Sequence, residues 1–329
     1  MVELVFVLSA AFLLDLIIGD PRYRFHPIRV IGRGILYFEK FLRGLGLKGK
    51  TGGILLVSMI EAASLICYLA LNFALHYLYP LLALIFDLFV CYSALALKDL
   101  SQHIKPVINA LQSDNLPEAR KSLAMVVGRD VRHLDEKEIS RASVETLAEN
   151  FVDGFFSPVF WYLTGGILAS LSGLAPVPSA IGLMLVFKTA NTLDSIVGYK
   201  NSKYLQFGRA GARLDDLMNF VPARLSIIVL FTGSLIHGPH PLKGLTTALR
   251  DRLKHESPNS AHAESFVAGV FQIRLGGPSV YSGEVKDKPW LGKENADPGV
   301  AHISKTKSLL IYSAWITISV SILIILLFQ

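Results

Sequence analysis

Seven stretches of the chain are apolar almost without interruption: residues 2–19, 53–75, 80–97, 155–175, 179–194, 220–237 and 308–328. Each approaches or exceeds the ~20 apolar residues that carry a helix across a bilayer, so the pattern predicts membrane helices. Four polar stretches lie between them, at 20–51, 98–154, 195–219 and 238–307. The turns Tyr79-Pro80 and Ala175-Pro176-Val177-Pro178 are short and uncharged, as tight connections on the opposite face would be. The opening run MVELVFVLSAAFLLDLIIGD lacks a basic leader and a small-residue cleavage site, and reads as a retained membrane helix rather than a secretory signal.

Charge then sets the orientation. Arg22, Arg24, Arg29, Arg33, Lys40, Arg43, Lys48 and Lys50 put the first polar stretch on the cytoplasmic side, and two helical hairpins return the second and third stretches to that side. The fourth stretch is also rich in Lys and Arg, yet would lie outside if 220–237 crossed the membrane. Pro222 and Arg224 stand near the start of that segment, so we expect it to be re-entrant or interfacial. Residues 98–154 read as soluble helices, with Asp135 and Glu138 spaced as a capping box. Residues 255–299, rich in Gly, Pro, Ser and Asn, read as a long loop, functional or disordered. The expected architecture is a single all-α, polytopic membrane domain over residues 1–329.

Composition agrees. At 52% hydrophobic, 18% charged and a mean hydropathy of +0.46, the chain is too apolar for an ordinary soluble domain. Its net charge of +6 is what basic loops beside a membrane accumulate, and without a basic, aromatic-interleaved motif no nucleic-acid partner is expected. Cys67 and Cys91 lie in apolar runs and read as buried free thiols.

Polar clusters stand where apolar segments end, on the face assigned to the cytoplasm. In ETLAENFVDG, Glu145, Glu149 and Asp153 recur every four residues, which on a helix stacks three carboxylates in one stripe. Like charges so placed repel unless a cation, a base or a substrate group sits among them; the bland alternative is a solvated face with an Arg141 to Glu145 pair. A second cluster, Lys188, Asn191 and Asp194, closes a membrane segment, where unpaired polar groups are costly. In the third, ARLDDLMNFVPARL, Arg209, Arg213 and Asp216 share one helix face, and Asp215 and Asn219 an adjacent one. Carboxylates and amide oxygens are natural magnesium ligands, and guanidinium forks hold phosphate or carboxylate. Together these clusters suggest a site for an anionic substrate at the membrane surface.

Other features weigh less. Asp15, Glu61 and Asp87 lie inside apolar segments, where acids are functional candidates or pair between helices. His26, His103, His133 and His255 show no metal-ligand spacing. The chain has no GxxxxGK[ST], GxSxG or GxGxxG motif. RLGGPSVYSG at 274–283 has the makings of a backbone cradle beside Arg274, or of a plain turn.

The blocks GDPRYRFHPIRVIGR, GRDVRHLDEKEISRASVETLAENFVDGFFSPVFW, NTLDSIVGYKNSKYLQFGRAGARLDDLMNFVPARL, and SPNS followed by RLGGPSVYSG resemble, in order and over residues 14–292, the signature blocks of the adenosylcobinamide-phosphate synthase family. The resemblance implies a multi-pass cell-membrane ligase of cobalamin biosynthesis, its active site facing the cytoplasm. Such a ligase joins a propionate of adenosylcobyric acid to the amine of aminopropanol phosphate, with ATP as co-substrate and Mg2+. It further implies that Glu145, Glu149, Asp153, Asp194, Asp215 and Asp216 bind magnesium or accept the amine proton, without separating base from ligand. Asn150, Asn191 and Asn219 would orient substrates, and Arg213, Arg224 and Arg274 would hold phosphate or carboxylate. Lys188, Arg209, Ser257, Pro258, Asn259, Gly276 and Gly277 complete the expected substrate contacts. One departure stands out: where the family has a histidine-proline-serine-proline-asparagine string, this chain reads His255-Glu256-Ser257-Pro258-Asn259, which leaves the role of His255 open. The rival expectations are an intramembrane magnesium-dependent prenyltransferase, on Asn191-x-x-Asp194 and the Asp215-Asp216 pair, and a transporter with Asp15, Glu61 and Asp87 as its ion path.

Overall fold

A computed structural model describes residues 1–19, 23–281 and 284–328. Arg22, part of the charge argument above, and Ser282 and Gly283 of the RLGGPSVYSG block lie outside the described residues. The chain is 76% helical, so the all-α expectation holds. Among the described residues six helical runs are long and apolar enough to cross a membrane: Lys50–Leu78, Pro80–Gln112, Glu136–Ser172, Pro176–Val197, Arg209–His237 and Val300–Leu327. The first apolar stretch forms α1, Val2–Ile18, which at 17 residues spans about 26 Å and buries Leu4, Val7, Leu8, Ala11 and Phe12 along one side.

The chain divides into two compact units. The first holds α1, α2 (Pro27–Gly44), α3 (Lys50–Leu78), α4 (Pro80–Ala94), α8 (Ser157–Ser172), α9 (Pro176–Val197), the opening part of α10 (Arg209–His237) and the end of α13 (Val300–Leu327). Pro80 and Pro176 each occupy the first turn of a helix, where a missing N–H goes unnoticed, which makes the two uncharged turns sharp helix starts. Both turns and Glu3 line one cavity of about 520 Å3, so they share an end of this unit, as tight connections on a common face should. Elsewhere in the unit Ile35, Leu42, Leu56, Ile60, Leu193, Val197 and Phe207 pack one core, and Arg43 lies 4.3 Å above the Phe207 ring.

The second unit holds α5 (Leu97–Gln112), α6 (Leu116–Leu123), α7 (Glu136–Phe151), a π-helical turn Val152–Phe156, the later part of α10, α11 (Pro241–Asp251), α12 (Ala261–Phe271) and most of α13. It also carries two short antiparallel pairs: β1 (Leu275–Gly276) with β4 (Trp290–Leu291), and β2 (Ser279–Tyr281) with β3 (Glu284–Lys286). The capping box forms as expected: Asp135 accepts from the Glu138 N–H at 2.8 Å, and Glu138 accepts from the Asp135 N–H at 2.9 Å.

Three sequence expectations need correction. Residues 220–237 do not turn back on themselves: α10 runs unbroken for 29 residues through Pro222, which removes the re-entrant alternative and leaves the interfacial one. Residues 255–299 are not one long loop but contain α12, all eleven of whose residues are buried. Its composition concealed it, because the small residues that suggested a loop are those that let a helix lie close to a neighbour. A side-chain carbon added at Gly269 would stand 2.3 Å from the Lys243 carbonyl oxygen, and one at Gly244 2.5 Å from Val270. We therefore expect Gly269→Ala to lower stability by about 1–3 kcal/mol by forcing α11 and α12 apart, read as a fall in Tm. Finally, Cys67 is exposed and only Cys91 is buried, both as free thiols.

Candidate active site

Helix α7 sits in the interior of its unit, not on a solvated face. From Ile139 to Ala148 every residue is buried, including Arg141 and Glu145. The anticipated Arg141 to Glu145 pair is absent. Arg141 instead lies 3.7 Å from Glu138 and stacks 4.8 Å from the Trp290 ring. Glu145, 7% exposed, is paired with Arg129 and accepts the Gly276 N–H at 2.7 Å. A buried ion pair of this kind holds only while both partners and their additional hydrogen bonds are in place.

A cavity of about 360 Å3 opens within the second unit. It is lined by Glu145 and Glu149 of α7 and Glu264 of α12, and by Arg129, Lys254, His255 and Lys288. Glu149 is exposed and accepts a hydrogen bond from Ser260 Oγ at 3.1 Å. Asn150 lines the cavity beside it. Asp153 does not: it falls in the π-helical turn, which carries more residues per turn than α7 and so breaks the four-residue stripe after Glu149.

Glu264 is the functional candidate that sequence reasoning missed, because its helix was read as loop. It is 5% exposed. Burial, then the neighbouring charges of Glu145 and Glu149, push its carboxyl well above the ordinary range, and Lys288 and Arg129 offset only part of this. His255, whose role the sequence left open, lines the cavity and takes the Ser257 N–H on Nδ1 at 3.0 Å. Burial and then Lys288 lower its pKa, against the pull of Glu149, Glu145 and Glu256. Lys254 is anchored 2.6 Å from Asp251, a fully buried carboxylate. Burial alone would raise Asp251, but hydrogen bonds from Arg250, the Gly292 N–H and Lys254 hold it at about 2.

Ser257, Pro258 and Asn259 form the lead into α12, with Asn259 Oδ1 3.4 Å from Arg224 Nη1. His262 follows on α12, its Nδ1 3.2 Å from the Asn259 carbonyl. Burial, then Arg224 and Arg252, lower its pKa from 6.5 to about 4. The neutral ring is thus favoured by folding, so its contribution is complete above pH 6.5 and is lost as the pH falls towards 4. Fully developed, that difference is worth about 3 kcal/mol. His262→Gln should accordingly flatten the acid-side fall of Tm between pH 6.5 and 4.

The backbone at Gly276 and Gly277 requires glycine, and Gly276 lines the cavity. Gly276 and Gly277 adopt φ of +74° and +75°, and a side-chain carbon at Gly277 would strike Trp290 at 2.4 Å. The Gly276 N–H is taken by Glu145, so the cradle serves a protein carboxylate. Arg274, expected to hold a ligand anion, is engaged in a two-bond fork with Asp297 at 2.7 and 2.9 Å and lies 4.6 Å from the Trp290 ring.

In the first unit the second and third clusters meet. Asn191 Nδ2 donates to Asp215 at 3.1 Å, Asn219 Nδ2 donates to the same carboxylate at 3.3 Å, and Ser157 Oγ donates to Asn219 Oδ1 at 2.7 Å. Asp194 and Asp216 stand within electrostatic range of Asp215. Lys188 is buried on α9, whereas Arg209 and Arg213 are exposed on α10. Asp87, offered as part of an ion path, receives hydrogen bonds from Tyr68 at 2.7 Å and Asn72 at 2.8 Å, which accounts for it as an interhelical polar contact.

Among the described residues no three His, Cys, Asp or Glu side chains gather closely enough to cage a metal. Both acidic groups offer oxygen donors in small number, which suits magnesium completed by phosphate oxygens and water rather than an all-protein cage.

The chain matches the family model described as CobD/Cbib protein over residues 8–310. It is 40% identical to a protein of Pelobacter propionicus named cobalamin biosynthesis protein CobD, across 87% of this chain and 84% of that one. A protein of the same name from Leptospira interrogans is 38% identical across 96% of both chains. One from Salmonella arizonae named cobalamin biosynthesis protein CbiB is 37% identical across 91% of both. No solved structure matches.

Proposed function

The chain belongs to the CobD/CbiB family, and from that premise we propose that it serves cobalamin biosynthesis as a membrane-bound ligase joining an amino-alcohol phosphate to a propionate carboxyl of adenosylcobyric acid. The observation that carries this reading is the cavity of the second unit, about 360 Å3, lined together by carboxylates from α7 and α12 and by Arg129, Lys254, His255 and Lys288. Amide formation needs what that arrangement offers: cationic groups for phosphate and carboxylate oxygens, and a carboxylate near the nitrogen.

The carboxylate must first be activated, most simply as an acyl phosphate made from ATP. The amine nitrogen then forms the C–N bond, the phosphate leaves with the electrons of its bond to carbon, and the nitrogen gives up a proton. Glu149, exposed to the cavity and held by one hydrogen bond from Ser260, is placed to accept that proton. Asn150 orients the substrate beside it. When bound, magnesium would neutralise phosphate charge, and Asp194, Asp215 and Asp216, with Asn191 and Asn219 steadying Asp215, are the residues assigned to hold it. An amphipathic corrin ring can rest on apolar surface while its propionate reaches polar groups. We place the reaction at the cytoplasmic face.

The test is to supply purified protein in detergent with adenosylcobyric acid, aminopropanol phosphate and magnesium ATP and to seek cobinamide phosphate by mass. Product that requires all of these supports the reading. A well-folded protein that yields none overturns it.

A further inference from the structure

We propose that α11 lies along the surface of the bilayer and that Arg224 and Arg252, beside it, hold the phosphate of an anionic phospholipid.

Helix α11 divides its residues among three faces. Gly244, Thr247, Ala248 and Asp251 are buried, and the close approaches at Gly244 and Gly269 set that face against α12. Lys243, Thr246 and Arg250 are exposed polar positions. The third face is a leucine stripe: Leu242, Leu245 and Leu249 recur at i, i+3 and i+7, and Leu253 follows one turn later. Leu242, Leu249 and Leu253 are each more than half exposed. A helix with leucines along one side and basic residues beside them suits a membrane interface. Continuity favours lipid over a second protein as the occupant, because only residues 238–240 separate α11 from α10, one of the runs apolar enough to cross a membrane. On α10 itself Phe220, Val221, Leu225 and Ile228 are exposed, and Arg224 falls on the same side of the helix.

The two arginines are brought together at this surface. Arg252 adjoins Leu253, and its charge acts both on Arg224 and on the fully buried His262. Arg224 acts on His262 as well. The hydrogen bonds that Arg224 donates from Nη1, to the Phe220 carbonyl at 2.5 Å and to Asn259 Oδ1 at 3.4 Å, go to uncharged oxygens. Arg252 Nε and His262 Nε2 are buried with no hydrogen-bond partner among the described residues. Two guanidinium groups held near each other repel, and an apolar surface screens them poorly. A phosphodiester between them offsets that cost, since each guanidinium is a fork for phosphate oxygens, and basic pockets beside membrane helices take anionic headgroups in this way. The acyl chains then run over the apolar faces of α10 and α11. Neither arginine lines the cavity of about 360 Å3, so this site stands apart from the proposed chemistry, and the anion facing Arg224 belongs to lipid rather than to substrate.

The experiment takes the full chain in detergent, stripped of lipid, and reads Tm as phosphatidylglycerol is added. Phosphatidylglycerol should raise Tm, and inorganic phosphate should not. Changing Arg224→Gln and Arg252→Gln together should weaken the lipid about thirtyfold. Equal stabilisation by inorganic phosphate would assign the pair to a free anion and overturn the lipid reading. A double variant that binds phosphatidylglycerol as the wild type does, or that no longer folds, would overturn the role given to the arginines. A second measurement is independent of that variant. In nanodiscs, a fluorophore on Leu249→Cys, with Cys67→Ser to remove the exposed native thiol, should be quenched by brominated acyl chains, whereas one on Lys243→Cys should not. Equal quenching at the two positions, or none at Leu249→Cys, as a covering protein would give, sinks the placement of α11.

Discussion

Arg129→Met is expected to lower stability by about 4 kcal/mol, far more than an exposed arginine would, because it strands Glu145 as an unpaired buried carboxylate. The side chains of both partners are about one-tenth exposed, so water cannot take over the guanidinium's role. The loss should extend beyond Tm. Glu145 also anchors the Gly276 N–H, and with it the β1 edge that carries Gly276 into the cavity wall. The check is a double variant: Arg129→Met with Glu145→Gln should recover much of the stability, since a neutral amide can keep the Gly276 hydrogen bond without an uncompensated charge. If the double variant is as unstable as the single one, the ion pair is not what Arg129 contributes.

Glu149→Gln is expected to behave in the opposite manner, leaving the fold intact and removing the chemistry. Glu149 is exposed, and its one hydrogen bond from Ser260 can be accepted equally by a glutamine oxygen, so Tm should hardly move. A glutamine cannot accept the amine proton, and loss of a positioned proton acceptor reduces rates about 10²–10⁴-fold. Single-turnover amide formation measured at saturating substrates would isolate that step. Turnover at the wild-type rate would remove Glu149 from the site.

The two glutamates differ for reasons that lie beyond their local spacing. Four residues apart, they are equivalent in a linear stripe, and like-charge spacing was the clue that something must sit among them. The answer for Glu145 is Arg129, sixteen residues away and on no common helix, which no local spacing reveals. Glu149 stays open to the cavity. Asp153 leaves the stripe because the π-helical turn at Val152–Phe156 intervenes, and π geometry has no sequence signature comparable to a cap or a proline. Asp135 and Glu138, whose pairing depends only on three residues of helix, were legible and form as expected.

What the sequence determined by itself was the all-α class, six of the long apolar helices, the sharp turns at Tyr79-Pro80 and Ala175-Pro176, and the family, because each depends on local composition or ordered motifs. The meeting of the second and third polar clusters at Asp215 was also foreshadowed, since polar groups ending apolar helices must find partners. Tertiary structure alone decided that α12 exists, that α7 is interior, that Gly276 and Arg274 bind protein carboxylates, and that Glu264 lines the cavity. The physical reason is the same in each case. Burial is a property of what packs around a residue, and whether a charge is paired, stranded or open to a ligand depends on neighbours that lie far away along the chain.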